Sequence, residues 1–126
     1  MTEDPYETGM RIRREVLGDA YVDRAIANTT ALTEPFQDFI IRYAWGSVWA
    51  RDGLDRRSRS MITLAVLAAL GREHEIGMHV RAARRNGLTV EEIGEILLHT
   101  GIYAGVPASN AALAIAQDVL NEESAS

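Results

Sequence analysis

The stretch that decides the fold is residues 61–87, MITLAVLAALGREHEIGMHVRAARRNG. Its first ten residues are apolar on nearly every side, and Gly71 follows them. Because ten residues are too few to span a membrane, this segment predicts a central buried helix. The charged segment after Gly71 predicts a second helix, which ends at Asn86-Gly87, a sequence typical of a left-handed helix stop. Two adjacent helices of this kind indicate an all-α fold.

Helix signals also cover the sequence before this stretch. Residues 6–17 predict a charged first helix that Gly18 ends, and residues 19–28 predict a second helix capped by Asp19. Pro35 suits an early position in a third helix. The apolar residues of that helix recur at helical spacing and form one stripe: Phe36, Phe39, Ile40, Tyr43 and Ala44. Residues 45–54, WGSVWARDGL, interrupt the pattern with two glycines and predict a loop.

The C-terminal part of the chain continues the helical pattern. Asp55 can cap the central helix, and Thr89 with Glu92 predicts a capping box for a helix that reaches about Tyr103. Residues 105–107, Gly-Val-Pro, predict a turn into a last, alanine-rich helix over residues 108–120, followed by a frayed tail, NEESAS. The sequence shows no strand pattern, repeat or domain boundary. It therefore predicts a single domain over residues 1–126, built as an all-α bundle of about six to seven helices.

Composition limits the classes of function. The 126 residues are 47% hydrophobic and 25% charged, with a net charge of −5, which argues against nucleic acid as the main partner. The chain has no cysteine, so it can form no disulfide and can carry out no thiol chemistry. The N-terminal residues MTEDPYETGM are acidic, and no apolar run approaches membrane-spanning length. A cytoplasmic protein without a membrane partner is expected.

Two histidines of the central stretch differ in position. His74 and His79 are five residues apart and lie about 140° apart around a helix, so they cannot share a metal ion. The zinc-protease motif places its histidines four residues apart, and no metal is therefore expected. His79 instead shares a face with Glu75, four residues earlier, and with Arg72, three residues before that.

The surroundings of His79 suit acid/base chemistry. Met78, Ala82 and Ala83 flank it, so it projects from an apolar face, whereas His74 lies on the opposite, wetter side. A Glu–His pair in apolar surroundings can hold the imidazole in one tautomer and tune its pKa. The alternative is a structural pair, since helices carry Glu–His pairs routinely.

Several arginines stand near the start of the central helix. Arg51 lies in the predicted loop, and Arg56, Arg57 and Arg59 follow it. The guanidinium fork suits a carboxylate, and Arg59 is the best candidate because it enters the most apolar helix of the chain. The alternative is a solvated charged face, or salt bridges between chains.

Several separate blocks of the sequence carry a resemblance to a known family. The similarity begins at residues 9–25, GMRIRREVLGDAYVDRA, and continues to the last helix. Its most specific blocks are Trp49-x-Arg51-x-Gly53-Leu54, Arg59-Ser60, Glu75-x-x-x-His79-x-x-x-Ala83, Asn86-Gly87-Leu88-Thr89 and Tyr103-x-Gly105-x-Pro107. In these blocks the sequence closely resembles the 4-carboxymuconolactone decarboxylase family of the β-ketoadipate pathway.

The resemblance implies the all-helical fold of the alkyl hydroperoxidase D-like superfamily and assembly as a homohexamer. Redox members of that superfamily carry a Cys-x-x-Cys pair just before a histidine. Here Arg72 and Glu75 occupy the two cysteine positions, and His79 matches the histidine. The absence of cysteine therefore excludes thiol peroxidase chemistry and leaves cofactor-free decarboxylation.

The activity implied by the resemblance is that of a carboxy-lyase. Its small anionic substrate, 4-carboxymuconolactone, loses CO2 to give β-ketoadipate enol-lactone during protocatechuate catabolism, a route of aromatic compound degradation. His79 is expected to deliver a proton or to donate to the oxyanion, with Glu75 orienting its ring. The expected ligands of the substrate carboxylates are Arg51 and Arg59, with Arg72, Ser60 and Tyr103 as weaker candidates.

Two other functions remain open on the sequence. One is a related lactone-carboxylate decarboxylase or isomerase with a shifted substrate, for which the same residues would serve. The other is a non-enzymatic helical oligomer that keeps the fold, in which the Glu75–His79 pair only packs.

Overall fold

The structure, a computed structural model, describes residues 3–125, and all regular structure in that range is helical. Seven α-helices and one π-helix follow one another in this order: α1 (Pro5–Leu17), α2 (Asp19–Ala27), α3 (Glu34–Ile40), the π-helix (Ile41–Val48), α4 (Arg56–Leu70), α5 (Glu73–Arg85), α6 (Val90–Ala104) and α7 (Val106–Ala125). The all-α prediction, with six to seven helices, is confirmed. None of the described helices is long and apolar enough to cross a membrane.

The chain divides into two compact units, a first that ends at Asp55 and a second that starts at Arg56. The single domain over residues 1–126 stays a prediction.

In the first unit, α1 packs against the π-helix with the two backbones almost in contact. Two glycines make this approach possible. A Cβ atom on Gly9 would lie 1.9 Å from the carbonyl oxygen of Ile41, and one on Gly46 would lie 2.2 Å from the carbonyl oxygen of Pro5. The space that a side chain would fill is therefore occupied by the neighbouring backbone. The apolar residues buried in this unit are Ile12, Val16, Leu17, Val22, Ile41 and Trp45.

The predicted loop over residues 45–54 is wrong in its first part. Residues 45–48 belong to the π-helix, and the chain leaves it at Trp49. Trp45 is buried, and its ring centroid lies 5.1 Å from that of Trp49. Gly46 suggested a helix break, but its actual role is the close contact with α1.

The predicted apolar stripe that begins at Phe36 is not buried. Phe36, Phe39 and Tyr43 are each more than half exposed, whereas Ile41 is buried. Phe36 and Phe39 lie in α3 and are exposed there, whereas from Ile41 onward the i→i+5 bonding of the π-helix departs from the α-helical period of the stripe. The burial pattern therefore changes at the junction between α3 and the π-helix.

The prediction that Asp19 caps α2 is also wrong. Gly18 holds the N-cap position, with φ of 91°, and no side chain caps the helix. Asp19 is the first residue of α2, where its carboxylate accepts a hydrogen bond from Arg14 Nη1 over 3.0 Å. Its charge still suits the positive end of the helix dipole.

In the second unit, α4 packs against α5, α6 and α7, and α7 also packs against α5 and α6. The prediction of a central helix buried on nearly every side is only partly right. Leu64 and Ala68 are buried, whereas Ile62, Val66 and Leu70 lie on an exposed face of α4. The core of this unit comprises Leu64, Ala68, Ile76, Val80, Ala83, Leu88, Ile93, Leu97, Ala112, Ala116 and Val119.

The connections around α5 and α6 match the sequence. Helix α5 ends at Asn86-Gly87, where Gly87 has φ of 95°. The capping box of α6 is confirmed, because Thr89 Oγ1 accepts from the N–H of Glu92 over 3.0 Å and Glu92 Oε1 accepts from the N–H of Thr89 over 2.9 Å. Arg57 adds a link from α4, donating to the Glu92 carboxylate and to the carbonyl oxygen of Gly87.

Helix α7 is longer than predicted at both ends. It begins at Val106, so Pro107 lies in its first turn rather than in a preceding turn of the chain. The tail that was expected to fray is helical as far as Ala125, the last described residue. Two ion pairs from α5 hold this end, since Arg81 lies 2.9 Å from Glu122 and Arg84 lies 2.7 Å from Glu123. Neither pair follows from the spacing along α7 alone.

Candidate active site

The candidate site is built around His79, in the middle of α5. The ring is mostly buried, and the same helix places Val80, Ala82 and Ala83 beside it, all three with no exposed surface. The Nδ1 atom is buried and has no hydrogen-bond partner among the residues that the structure describes. Burial lowers the pKa of His79 from 6.5 to about 4, because the apolar surroundings disfavour the charged ring. The imidazole is therefore neutral at pH 7 in the unliganded protein.

Glu75 is predicted to orient the ring of His79, but the Nδ1 atom of His79 forms no hydrogen bond with Glu75 in this structure. Burial is the cause of the lowered pKa of His79. Helix geometry does place both residues on one face. Glu75, however, lies in the first turn of α5, where its side chain keeps part of its contact with solvent. An i,i+4 pair on a helix surface contributes only a few tenths of a kcal/mol, far less than a carboxylate loses when it leaves water.

Ser60 is predicted to bind substrate, and the structure buries it to 1% exposure in α4. Its hydroxyl oxygen accepts a hydrogen bond from the side-chain Nδ2 of Asn86 over 2.8 Å. This bond ties the first turns of α4 to the end of α5. Asn86 stands seven residues after His79, and two helical turns bring such positions to the same face.

From the sequence, Asn86 is predicted only to end helix α5. The spacing of seven residues from His79 was a signal that this side chain faces the same way. Its hydrogen bond to Ser60 links the end of α5 to one of the predicted substrate-binding residues.

The remaining candidates of the second unit lie around α4, α5 and α6. Arg59 is partly buried in the first turns of α4, and its carbonyl oxygen accepts from Thr63 Oγ1 over 2.8 Å. Arg72 is exposed at the N-cap of α5, where its carbonyl oxygen accepts from the N–H of Glu75 over 3.1 Å. Tyr103 is 82% exposed near the end of α6, with its ring centroid 5.2 Å from that of His99. The structure thus leaves Arg72 and Tyr103 open to solvent.

Arg51, the candidate of the first unit, lies in the exposed segment after the π-helix. Its backbone N–H donates to the carbonyl oxygen of Val48 over 3.1 Å, which forms a turn as the chain leaves the helix.

The described residues contain no group of three histidine, aspartate or glutamate side chains close enough to hold a metal ion. His74 is exposed on α5, on the side predicted for it.

The profile of the carboxymuconolactone decarboxylase family matches residues 34–118, a range that includes all seven predicted site residues, so the chain belongs to this family. The resemblance seen in the sequence is confirmed.

Two curated relatives are similar over most of their length. A protein named 4-carboxymuconolactone decarboxylase from Acinetobacter baylyi is 49% identical over 120 residues, which cover 95% of this chain and 90% of the relative. A protein named nitrosuccinic acid decarboxylase npaB from Metarhizium robertsii is 40% identical over 117 residues, which cover 93% of this chain and 82% of the relative.

Proposed function

We propose that the protein is a carboxy-lyase that converts 4-carboxymuconolactone to β-ketoadipate enol-lactone, a step in protocatechuate catabolism. The observation that carries this proposal is the 49% identity, over 95% of the chain, to a relative with that activity in its name. The buried histidine with an unpartnered ring nitrogen supports it, because such a group is rare outside functional sites.

The chemistry of the substrate explains why no cofactor is expected. Loss of CO2 from the γ carbon leaves an electron pair, and conjugation through the ring double bond carries it to the lactone carbonyl oxygen. The substrate thus holds its own electron sink. The protein has to bind the carboxylates, stabilise the developing oxyanion and deliver a proton to the α carbon.

His79 is the proposed proton donor. In the unliganded protein its ring is neutral, since burial lowers its pKa to about 4. A substrate with two carboxylates brings negative charge to the ring and raises its pKa, typically by about 1–3 units. The ring then gains a proton from solvent, holds it as imidazolium and delivers it to the α carbon as CO2 departs. Glu75 is proposed to orient the ring once the substrate excludes water from its carboxylate.

A pH–rate profile tests this role. If substrate raises the pKa of His79, the pKa that limits kcat lies above the pKa of about 4 that limits kcat/KM. Both parameters then fall as the pH rises through their respective pKa values, because the protonated ring is lost. Activity that instead falls as the pH drops below 4 would assign His79 the role of a neutral hydrogen-bond donor to the oxyanion.

The arginines are proposed to bind the substrate carboxylates. Arg51 and Arg59 are the first candidates, and Arg72, Ser60 and Tyr103 are weaker ones. A guanidinium placed on the departing carboxylate would stabilise the reactant more than the transition state. The arginines are therefore proposed to bind the acetate arm of the substrate or the developing oxyanion rather than the departing carboxylate.

A decarboxylase of shifted specificity is the second candidate. The observation in its favour is the 40% identity to the relative named nitrosuccinic acid decarboxylase. An ultraviolet assay of CO2 loss on freshly generated 4-carboxymuconolactone, with nitrosuccinate in parallel, separates the two candidates by kcat/KM. Turnover of neither compound by correctly folded protein would favour the non-enzymatic helical oligomer.

Assembly as a homohexamer and a cytoplasmic location complete the proposal. Support for assembly comes from large apolar residues that the described chain leaves exposed, among them Ile62, Leu98, Ile102 and Val106 in the second unit. Faces of this kind usually mark sites of association. Sedimentation equilibrium tests the stoichiometry, and a monomer at micromolar concentration would contradict it.

A further inference from the structure

Arg13, on α1, is a buried charge without a counter-charge. Its side chain is 4% exposed, and burial lowers the pKa of its guanidinium. Nη1 donates to the amide oxygen of Gln37 over 3.1 Å, and the buried Nε has no hydrogen-bond partner. Among residues 3–125, no carboxylate forms an ion pair with Arg13. The other arginine that shares its surroundings, Arg42, is paired with Asp38 through Nε at 3.0 Å.

This guanidinium lies at a cavity of about 600 Å³ in the first unit. The lining residues all come from residues 6–42, and none is among the residues proposed for decarboxylation. They include apolar side chains, two arginines and two carboxylates: Met10, Ile26, Ile41, Arg13, Arg42, Glu34 and Asp38. A volume of this size accommodates a small organic molecule.

Arg13 lies on the buried face of α1, where a charged side chain needs a partner. Gly9, Ile12, Val16 and Leu17 are the other buried residues of α1, so Arg13 occupies a position at which the helix buries apolar side chains. A buried charge without a partner costs several kcal/mol, and native proteins normally provide the partner. The described chain provides only a neutral amide.

We propose that the cavity binds a carboxylate, which the guanidinium of Arg13, a lining residue, holds. A guanidinium binds a carboxylate through two parallel N–H groups, and a bound carboxylate would supply the counter-charge that the described chain does not provide.

The remaining charges of the cavity select a monocarboxylate with an apolar body. Arg42 is already paired with Asp38, and Glu34 adds a further negative charge to the lining. A second carboxylate on the ligand would be repelled by these groups. The apolar side chains of Met10, Ile26 and Ile41 suit a ring or a short alkyl chain.

The test compares benzoate with benzamide, which has nearly the same shape and no charge. Isothermal titration of the full-length protein at constant ionic strength should show benzoate binding at least about tenfold more tightly. Arg13→Met should remove this preference. Arg14→Met is the matched control, because Arg14 is the neighbouring residue, pairs with Asp19 and Asp23 and does not line the cavity. Arg14→Met should keep the preference, and Arg13→Lys should keep part of it because a charge remains without the fork.

Sedimentation equilibrium distinguishes a carboxylate on a free ligand from a carboxylate side chain on a second copy of the chain. If a side chain of a second copy supplies the group, wild-type protein does not bind benzoate, and Arg13→Met dissociates the assembly in sedimentation equilibrium while Arg14→Met does not. A benzoate preference that survives in Arg13→Met would overturn the proposal. Equal or absent binding of benzoate and benzamide by wild type, with unchanged sedimentation of Arg13→Met, would also overturn it. Circular dichroism checks the folding of each variant.

Discussion

The side-chain amide of Asn86 donates a hydrogen bond to the hydroxyl of Ser60 over 2.8 Å, and this bond joins the end of α5 to the start of α4. Asn86 follows His79 by two turns, so both residues lie on the same face of this part of the chain. Ser60 is almost fully buried, so its hydroxyl would lose its donor if Asn86 were truncated.

Truncation of either partner should therefore reduce the free energy of unfolding by about 1 kcal/mol. Urea unfolding of Asn86→Ala, Ser60→Ala and the double variant measures the coupling between the two side chains. We expect the double variant to be less destabilised than the sum of the single ones. Additive effects would mean that the bond contributes nothing. A KM raised by Ser60→Ala but unchanged by Asn86→Ala would in addition assign Ser60 to substrate binding.

The contact between α1 and the π-helix should not tolerate a methyl group. A Cβ on Gly9 would lie 1.9 Å from a backbone carbonyl oxygen, so Gly9→Ala forces the two backbones apart and should cost at least about 1–3 kcal/mol of stability. Gly94→Ala is the control, because a Cβ at Gly94 in α6 would meet no atom within 4 Å. The control should stabilise by about 0.5–1 kcal/mol, since alanine favours a helix. Thermal unfolding that ranks the two variants in the opposite order would contradict this packing.

The free energy of unfolding should decrease as the pH decreases from 6.5 to 4, because of His79. Its pKa is about 4 in the folded protein and 6.5 when exposed, so between these values the unfolded chain binds a proton that the folded protein does not. The contribution of His79 to the free energy of unfolding is fully present above pH 6.5 and is lost as the pH falls to 4. It amounts to at most about 3 kcal/mol. His79→Gln should lose less stability over this range in urea unfolding at several pH values. Parallel pH dependences of the two proteins would show that the ring is solvated.

Arg59 should act on substrate binding more than on turnover. Arg59→Lys keeps the charge but removes the fork that holds a carboxylate by two bonds, so we expect KM to rise about tenfold or more with a smaller change in kcat. Arg85→Lys is the control, because Arg85 is exposed on the side of α5 opposite His79. An unchanged KM in Arg59→Lys would remove this residue from the substrate site.

The fold could be predicted well wherever local rules decide it. The ends of α5 and the capping box of α6 follow from Asn86-Gly87 and from Thr89 with Glu92, since these residues satisfy backbone groups within a few positions. The errors lie where distant contacts decide. At Gly9 and Gly46 the contact is with backbone far away in the sequence, and the last turns of α7 form ion pairs with α5.

In the candidate site too, features set by local sequence could be predicted and features set by distant packing could not. The apolar face of His79 could be predicted from its helical neighbours, and the structure places the ring there. The extent of its burial could not be predicted, because the packing of other helices determines it, and with it the pKa. Arg13 gave a signal that was missed, since a charged residue at a buried helix position indicates a polar partner.

Proton delivery by His79 is the proposed step that controls the rate of CO2 loss. The measurement is the loss of freshly generated 4-carboxymuconolactone, followed by ultraviolet absorbance, for wild type and for His79→Ala with intact helicity. We expect wild type to release CO2 from this compound and His79→Ala to be slower by about 10²–10⁴-fold in kcat, the range of positioned proton transfer. A folded His79→Ala variant that releases CO2 within a few-fold of the wild-type rate would contradict the account.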